Sequence, residues 1–393
     1  MSGMFKKKEF IIIFFIKITE VLGFSLILPF LPIFAQDLGA SPFTVGLIMS
    51  SFSLFQFITA PIMGKLSDIY GRRPFLIFSQ LSTFLSFIIL GFADSIWMLF
   101  LSRMIDGMLG SNMTIAQAYI SDISTKEQRS KAFASTGIAF SVGFLIGPGV
   151  GGFLSKFGYH VPALVASVIT LLTIVATYFF LPETVKKKSK EKVKFEIINI
   201  KKFTKFFSMN STRVKLWEFT TFLFAHIIFV SSFALYAEKQ LGFNVSQIGY
   251  TLTYIGAINI LFRGLILNII LDKYSDWSLR VWGILSMFFG LFILSFAPNW
   301  IFLTVAVSFF SIGSGFVRPL TVSSITKSVK EDEYGSVIGV TNSLGSIVQI
   351  VAPLISGFLI DNFFPGSIGV VSSLIMLFAL LLVIRGEKKQ GSK

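Results

Sequence analysis

The feature that most limits what this chain can fold into is its division into twelve long apolar runs. They cover residues 10-35, 43-63, 74-93, 96-120, 131-155, 161-181, 214-237, 246-270, 280-297, 299-324, 335-360 and 366-385. Each is 18 to 26 residues long, and about 20 helical residues cross a hydrocarbon core of roughly 30 Å. Lipid offers no partner to backbone N–H and C=O groups, so helices are the economical form for such runs. Only 14% of the residues are charged, against roughly 25% in soluble domains. The expectation is an all-α membrane protein with twelve transmembrane helices. The first run directly follows Lys6-Lys7-Lys8, as in a signal peptide. It is too long for that role and has no small-residue cleavage site, so it counts as the first span.

Basic residues orient the spans. With the N-terminus inside, 28 of the 34 Lys and Arg fall on cytoplasmic segments and only Lys156 and Lys239 on outer loops. Lys17, Arg103, Arg263 and Arg318 lie within the runs. Both termini are therefore expected in the cytoplasm and the chain in the cell (inner) membrane. The net charge of +14 reflects this topology and contact with anionic lipid. No aromatic-basic motif points to nucleic acid. There are no cysteines and only two histidines, His160 and His226. Disulfides, thiol chemistry and a His-rich metal site fall away, and no cofactor is expected. No G-x-x-x-x-G-K-[ST] occurs, so ATP-driven pumping has no support.

The longest polar stretch, 182-213, separates six runs from six, giving a first half at 1-181 and a second at 214-393. Within the linker, Phe195 to Phe203 has apolar and basic residues at helical spacing, suited to the inner membrane surface. The halves read as pseudo-symmetric repeats. Asn268 to Tyr274 echoes Gly64 to Tyr70 at an offset of 204, with Asp272 matching Asp68. Pro353 to Leu359 echoes Pro148 to Leu154 at an offset of 205.

The turn between runs 2 and 3 reads Gly64-Lys65-Leu66-Ser67-Asp68-Ile69-Tyr70-Gly71-Arg72-Arg73-Pro74-Phe75-Leu76. It resembles the signature loop of the major facilitator superfamily, G-x-L-x-D-x-x-G-R-R/K-x-x-L, with Ile69 where a basic residue is common. Glu20 to Pro32 in run 1 resembles the acidic-x-x-Gly, Pro-x-x-Pro pattern of tetracycline and multidrug exporters, with Glu20 where Asp is frequent. Gly143, Gly147, Pro148, Gly151 and Gly152 in run 5 resemble the signature of drug/proton antiporters. Arg103-Met104-Ile105-Asp106-Gly107 in run 4 resembles the buried-arginine motif, with Asp106 at a usually neutral place.

The resemblance implies a proton-coupled antiporter, no enzyme, that exports a small amphiphilic compound by alternating access, working as a monomer in the lipid bilayer. Its partners would be a small-molecule substrate and protons. Coupling would fall to Glu20, Arg103, Asp106 and Gln117, with His226, Arg263 and Arg318 in the second half. Arg103, Asp106, Gly107, Gly110, Thr114 and Gln117 fall on one face of the helix expected for run 4, so a polar strip descends into the bundle. A cytoplasmic gate would use Gly64, Asp68, Gly71, Arg72, Arg73 and Asp122, with both arginines facing Asp122 and Asp68 accepting from amides of run 11. The kink and glycines of run 5 would seal against run 8, Gly147 included. Structural alternatives stand beside these roles: an Arg103–Asp106 pair at i,i+3, a Lys17–Glu20 pair with Lys17 snorkelling, a packed His226, a generic packing kink in run 5 and a solvated Asp68. A sugar or metabolite symporter or facilitator, and a non-transporting receptor or scaffold, are the alternative functions.

Overall fold

A computed structural model describes residues 8–185, 200–262, 266–271 and 273–388, without the side chains of 8, 126–136, 200, 267, 268 and 386–388. Arg263, Asp272 and the linker stretch 186–199 lie outside the described residues. All regular structure among the described residues is helical: α1 (Lys8–Ile27), α2 (Leu31–Asp37), α3 (Pro42–Tyr70), α4 (Arg72–Gly91), α5 (Ile96–Leu109), α6 (Asn112–Ile123), α7 (Lys126–Leu154), α8 (His160–Phe180), α9 (Ile200–Ser208), α10 (Asn210–Leu241), α11 (Val245–Leu261), α12 (Leu267–Leu271), α13 (Asp276–Ser295), α14 (Trp300–Thr326), α15 (Tyr334–Asn362) and α16 (Ser367–Lys388).

Among the described residues, ten helical stretches are long and apolar enough to cross a membrane. Of the other two apolar runs, one is interrupted among the described residues. Run 4 breaks between α5 and α6 at Gly110, which leaves the helix at φ −76°, ψ 66°. A Cβ at Gly110 would strike the Asp106 backbone carbonyl and carboxylate, so only glycine lets the chain turn there beside that side chain. Run 8 is described as α11 and α12, and 263–265 between them lie outside the described residues. A smaller break separates α1 from α2, around Pro29 and Pro32, where two backbone donors are missing.

The chain forms two compact units. The first contains Met1–Ala40, Ser51–Ile197 and Asn244–Thr253; the second contains Ser41–Ser50, Ile198–Phe243 and Tyr254–Lys393. In the first unit α1 packs on α7 and α8, and α4 on α8, α5 and α6. Apolar burial drives little association within lipid, so close packing of small residues matters more. Gly143, Gly147 and Gly151, spaced by four on α7, lie directly against Val21, Ser25 and Leu26 of α1.

In the second unit α13 packs on α14 and α16, and α10 on α14, α15 and α16. Gly283 and Gly290 meet Gly313 and the Ala306 carbonyl at the tight α13–α14 crossing. The amphipathic α9 docks here through buried Phe206, a Lys205–Glu333 ion pair and the Phe207 ring against Trp217. The repeat is visible in helix bounds: α4 and α13 are both 20 residues long and start and stop exactly 204 positions apart in number.

Candidate functional site

A buried polar network occupies the middle of the first unit. Asn112, the first residue of α6, donates through Nδ2 to Glu20 Oε1 on α1 and to Thr83 Oγ1 on α4 at 3.0 Å. Thr83 Oγ1 donates to Asp106 Oδ1 at 2.8 Å. Arg103 Nη1 lies 3.7 Å from Asp106 Oδ2, and its Nη2 donates to Ser86 and Ser102 at 3.0 and 3.2 Å. The guanidinium stands 6.0 Å from the Phe87 ring centroid. Two carboxylates on different helices are thus joined by an amide and a hydroxyl. The helix break at Gly110 brings this about, because it sets the start of α6 beside Asp106. Discontinuous helices that line ion and substrate sites follow the same logic.

Several expectations change here. Arg103 and Asp106 do pair at i,i+3, and Asp106 also belongs to the wider network. Lys17 is 1% exposed, so it does not snorkel to water. Gln117 leaves the cluster: the break divides the strip, and its side chain is exposed on α6.

The predicted gate residues assemble where α3 ends, α4 begins and α6 ends. Arg72 pairs with Asp68, donates through Nε to Asp122 at 2.9 Å and through Nη1 to Ser67 at 2.7 Å. Gly71 adopts φ +114°, a region that favours glycine, and a Cβ there would strike the Glu183 carboxylate. Gly64 lies in ordinary contact with Thr114. Arg73 departs from expectation: it donates to the Tyr178 carbonyl and sits over the Tyr178 ring, away from Asp122. The sequence reading missed Glu183. Its carboxylate accepts from the Arg72 and Arg73 backbone N–H groups at 2.9 and 3.1 Å, capping the start of α4. Thr184 adds a bond to Asp122 at 3.0 Å. The signal was a lone Glu just past an apolar run, with Arg-Arg starting another.

The α7 glycines divide between two neighbours. Gly147 faces Ser25 on α1, which corrects the expectation that it meets run 8. Gly149, Gly152 and the Pro148 carbonyl instead face the first turns of α11, at Thr253, Ser246 and Gly249. Ser246 Oγ donates to the Gly152 carbonyl at 2.7 Å. Helical spacing explains the split: residues 143, 147 and 151 share one face, and 149 and 152 share another.

In the second unit His226 is stacked on Phe310, 5.2 Å between centroids, beside Phe222. Arg318 on α14 is exposed, next to Pro319, and makes no ion pair among the described residues. Tyr254 shares a hydrogen bond with Ser308 at 2.9 Å, and Ser314 donates to Asn259 at 3.4 Å.

A second buried charge site was not foreseen. Glu218 on α10, 1% exposed, pairs with Arg280 of α13 at 2.6 Å and accepts from Thr321 of α14 at 2.9 Å. Lys215, one turn earlier, donates to the Ser324 carbonyl. The first unit has Ile13, Leu76 and Ala116 at positions lower by 205, 204 and 205, and all three belong to one apolar cluster. The sequence signal was a Glu early in run 7 and an Arg opening run 9.

Comparison with known proteins settles the family. The Major Facilitator Superfamily model matches residues 13–353 and, in a second match, 281–393. The chain belongs to the Major Facilitator Superfamily and is a multi-pass membrane transporter of small molecules. It is 26% identical to the class H tetracycline resistance protein of Pasteurella multocida, over 96% of this chain and 95% of that one. It is 30% identical to multidrug resistance protein 1 of Bacillus subtilis (strain 168), over 86% of each. Solved structures share the fold: the human organic anion transporter MFSD10 (TETRAN) has a TM-score of 0.72 at 20% identity, covering 96% of this chain and 99% of that one. The peptide transporter POT has a TM-score of 0.80 at 14% identity, covering 100% and 96%.

Proposed function

We propose that this transporter exports a small amphiphilic compound in exchange for protons, by alternating access. The observation that carries the reading is Glu20 linked to Asp106 through Asn112 and Thr83 within the helical bundle of the first unit. Ionisable groups at membrane depth cost about 2.5–3.5 kcal/mol each on insertion scales, so their default reading is functional. The names of the resistance-protein relatives support the direction of transport. Glu20 is the coupling carboxylate; Asp106 and Arg103 form its charge partner along the hydrogen-bonded chain. Arg318, an exposed cation within a span, serves the substrate path, with His226 and Arg263 as further members.

The division proposed is 1-181 and 214-393, joined by a cytoplasmic linker at 182-213, with both termini inside the cell (inner) membrane and one chain as the working unit. The Asp68–Arg72–Asp122 cluster acts as the cytoplasmic gate, and the α7 motif as a seal that limits proton leak. One proton falling through about 150 mV and one pH unit releases about 5 kcal/mol, enough for a substrate gradient of about 3.5 decades.

The test is flux in proteoliposomes under an imposed pH gradient. Substrate should move opposite to the protons; co-directional movement would make the protein a symporter. Glu20→Gln should insert normally and lose coupled flux, while Glu20→Asp keeps part of it. Full coupling in the Gln variant removes Glu20 from the mechanism.

A further inference from the structure

The second unit carries an apolar groove whose cationic end nothing in the transport reading uses. Trp217, Thr220, Thr221 and Phe224 of α10 face Val371, Leu374, Ile375 and Phe378 of α16 across it. Trp217, Leu374 and Phe378 are 47%, 58% and 52% exposed. The two helices pack against each other, and on the topology proposed above the start of α10 and the end of α16 lie at the same membrane face. Continuing each stripe toward the start of α10 and the end of α16 reaches Arg213, one turn before Trp217, and Arg385, two turns after Phe378. Both side chains are exposed. On that placement the groove runs from its apolar walls toward Arg213 and Arg385 at one end, with Trp217 the lining residue nearest Arg213 in the chain and the Phe207 ring of α9 packed at 5.9 Å against it.

We propose that this groove is a specific site for an anionic phospholipid of the inner leaflet, its acyl chain between α10 and α16 and its phosphate at Arg213 and Arg385. A groove open to hydrocarbon takes up an acyl chain whatever the headgroup. The paired arginines select charge, since guanidinium groups bind phosphate oxygens through forked donors. A zwitterionic headgroup also offers phosphate, but its ammonium cancels the net attraction. Trp suits the headgroup level, with an apolar body and one polar edge. The α9 helix rests on Trp217 and is held at Glu333 by Lys205, so the lipid would brace the point where the linker joins the second unit. The inner-leaflet part rests on the topology reading given above.

The full chain is placed in phosphatidylcholine bilayers holding increasing fractions of brominated phosphatidylglycerol, present in both leaflets. Trp217 quenching is the difference between wild type and Trp217→Phe. Half-maximal quenching should come at a several-fold lower fraction for brominated phosphatidylglycerol than for brominated phosphatidylcholine. Arg213→Gln with Arg385→Gln should erase that preference. Lys239→Gln, at the other end of α10, should leave it intact. Quenching that follows bulk fraction equally for both headgroups overturns the proposal, as does an undiminished preference in the double variant. The headgroup comparison needs only the wild-type lipid site, so misfolding of the arginine variant does not protect the idea. Outside labelling of a single Cys at position 190 would refute the topology while leaving the headgroup preference standing.

Discussion

The buried Glu218–Arg280–Thr321 site allows a sharp test, because the other repeat supplies its apolar counterpart. Glu218 is 1% exposed and the Arg280 side chain 12%, with 2.6 Å between charged atoms. Removing one partner of such a pair strands the other and costs about 3–5 kcal/mol, whereas replacing the whole pair with well-packed apolar groups is neutral or stabilising by about 1–4 kcal/mol. Glu218→Gln keeps the volume and leaves Arg280 without its counter-charge. At about 2–4 °C per kcal/mol for a unit of this size, it should lower the apparent Tm by about 6–20 °C. The triple variant Glu218→Ile, Arg280→Leu, Thr321→Ala copies Ile13, Leu76 and Ala116 of the first unit. It should unfold within a few degrees of wild type or above it. The assay is thermal unfolding in one detergent at one scan rate, since large membrane proteins unfold irreversibly. A harmless Glu218→Gln, or a triple variant as weak as the single one, would refute the reasoning. Flux in a stable triple variant then shows whether the charges serve transport as well as packing.

Other expectations follow from particular contacts. Gly147→Leu should lower thermal stability by about 1–3 kcal/mol, through collision with Ser25 in the first unit; an unchanged unfolding temperature would contradict the α1–α7 packing. Glu183→Gln removes a charged cap from α4 and should cost about 0.5–2 kcal/mol, seen as faster amide exchange at Arg72, Arg73 and Phe75. Asp68→Asn should slow turnover with little change in ligand affinity; a large affinity loss with turnover preserved would defeat the gate reading. A single Cys replacing Lys190 should label only from the cytoplasmic side of intact cells.

The sequence by itself determined the helical membrane class and singled out the ionisable residues within its spans. Lipid leaves the backbone one economical form, so twelve apolar runs sufficed for the helices, and an ionisable residue inside a run marked itself by its cost. Glu20, Arg103 and Asp106 were legible on that ground, and the Gly64–Arg73 loop through its resemblance to a family signature. The tertiary structure alone decided who meets whom. The turn at Gly110 depends on the space beside Asp106 and Thr83, which no period along the chain encodes, and it moved Gln117 away while bringing Asn112 to Glu20. Arg73 found a carbonyl on α8, and Glu183, distant in sequence, capped α4. The α7 glycines parted between α1 and α11 because faces of one helix meet different neighbours. Glu218 and Arg280 looked like residues at the edges of apolar runs; only packing three helices together showed them as one buried pair where the other repeat holds Ile13, Leu76 and Ala116.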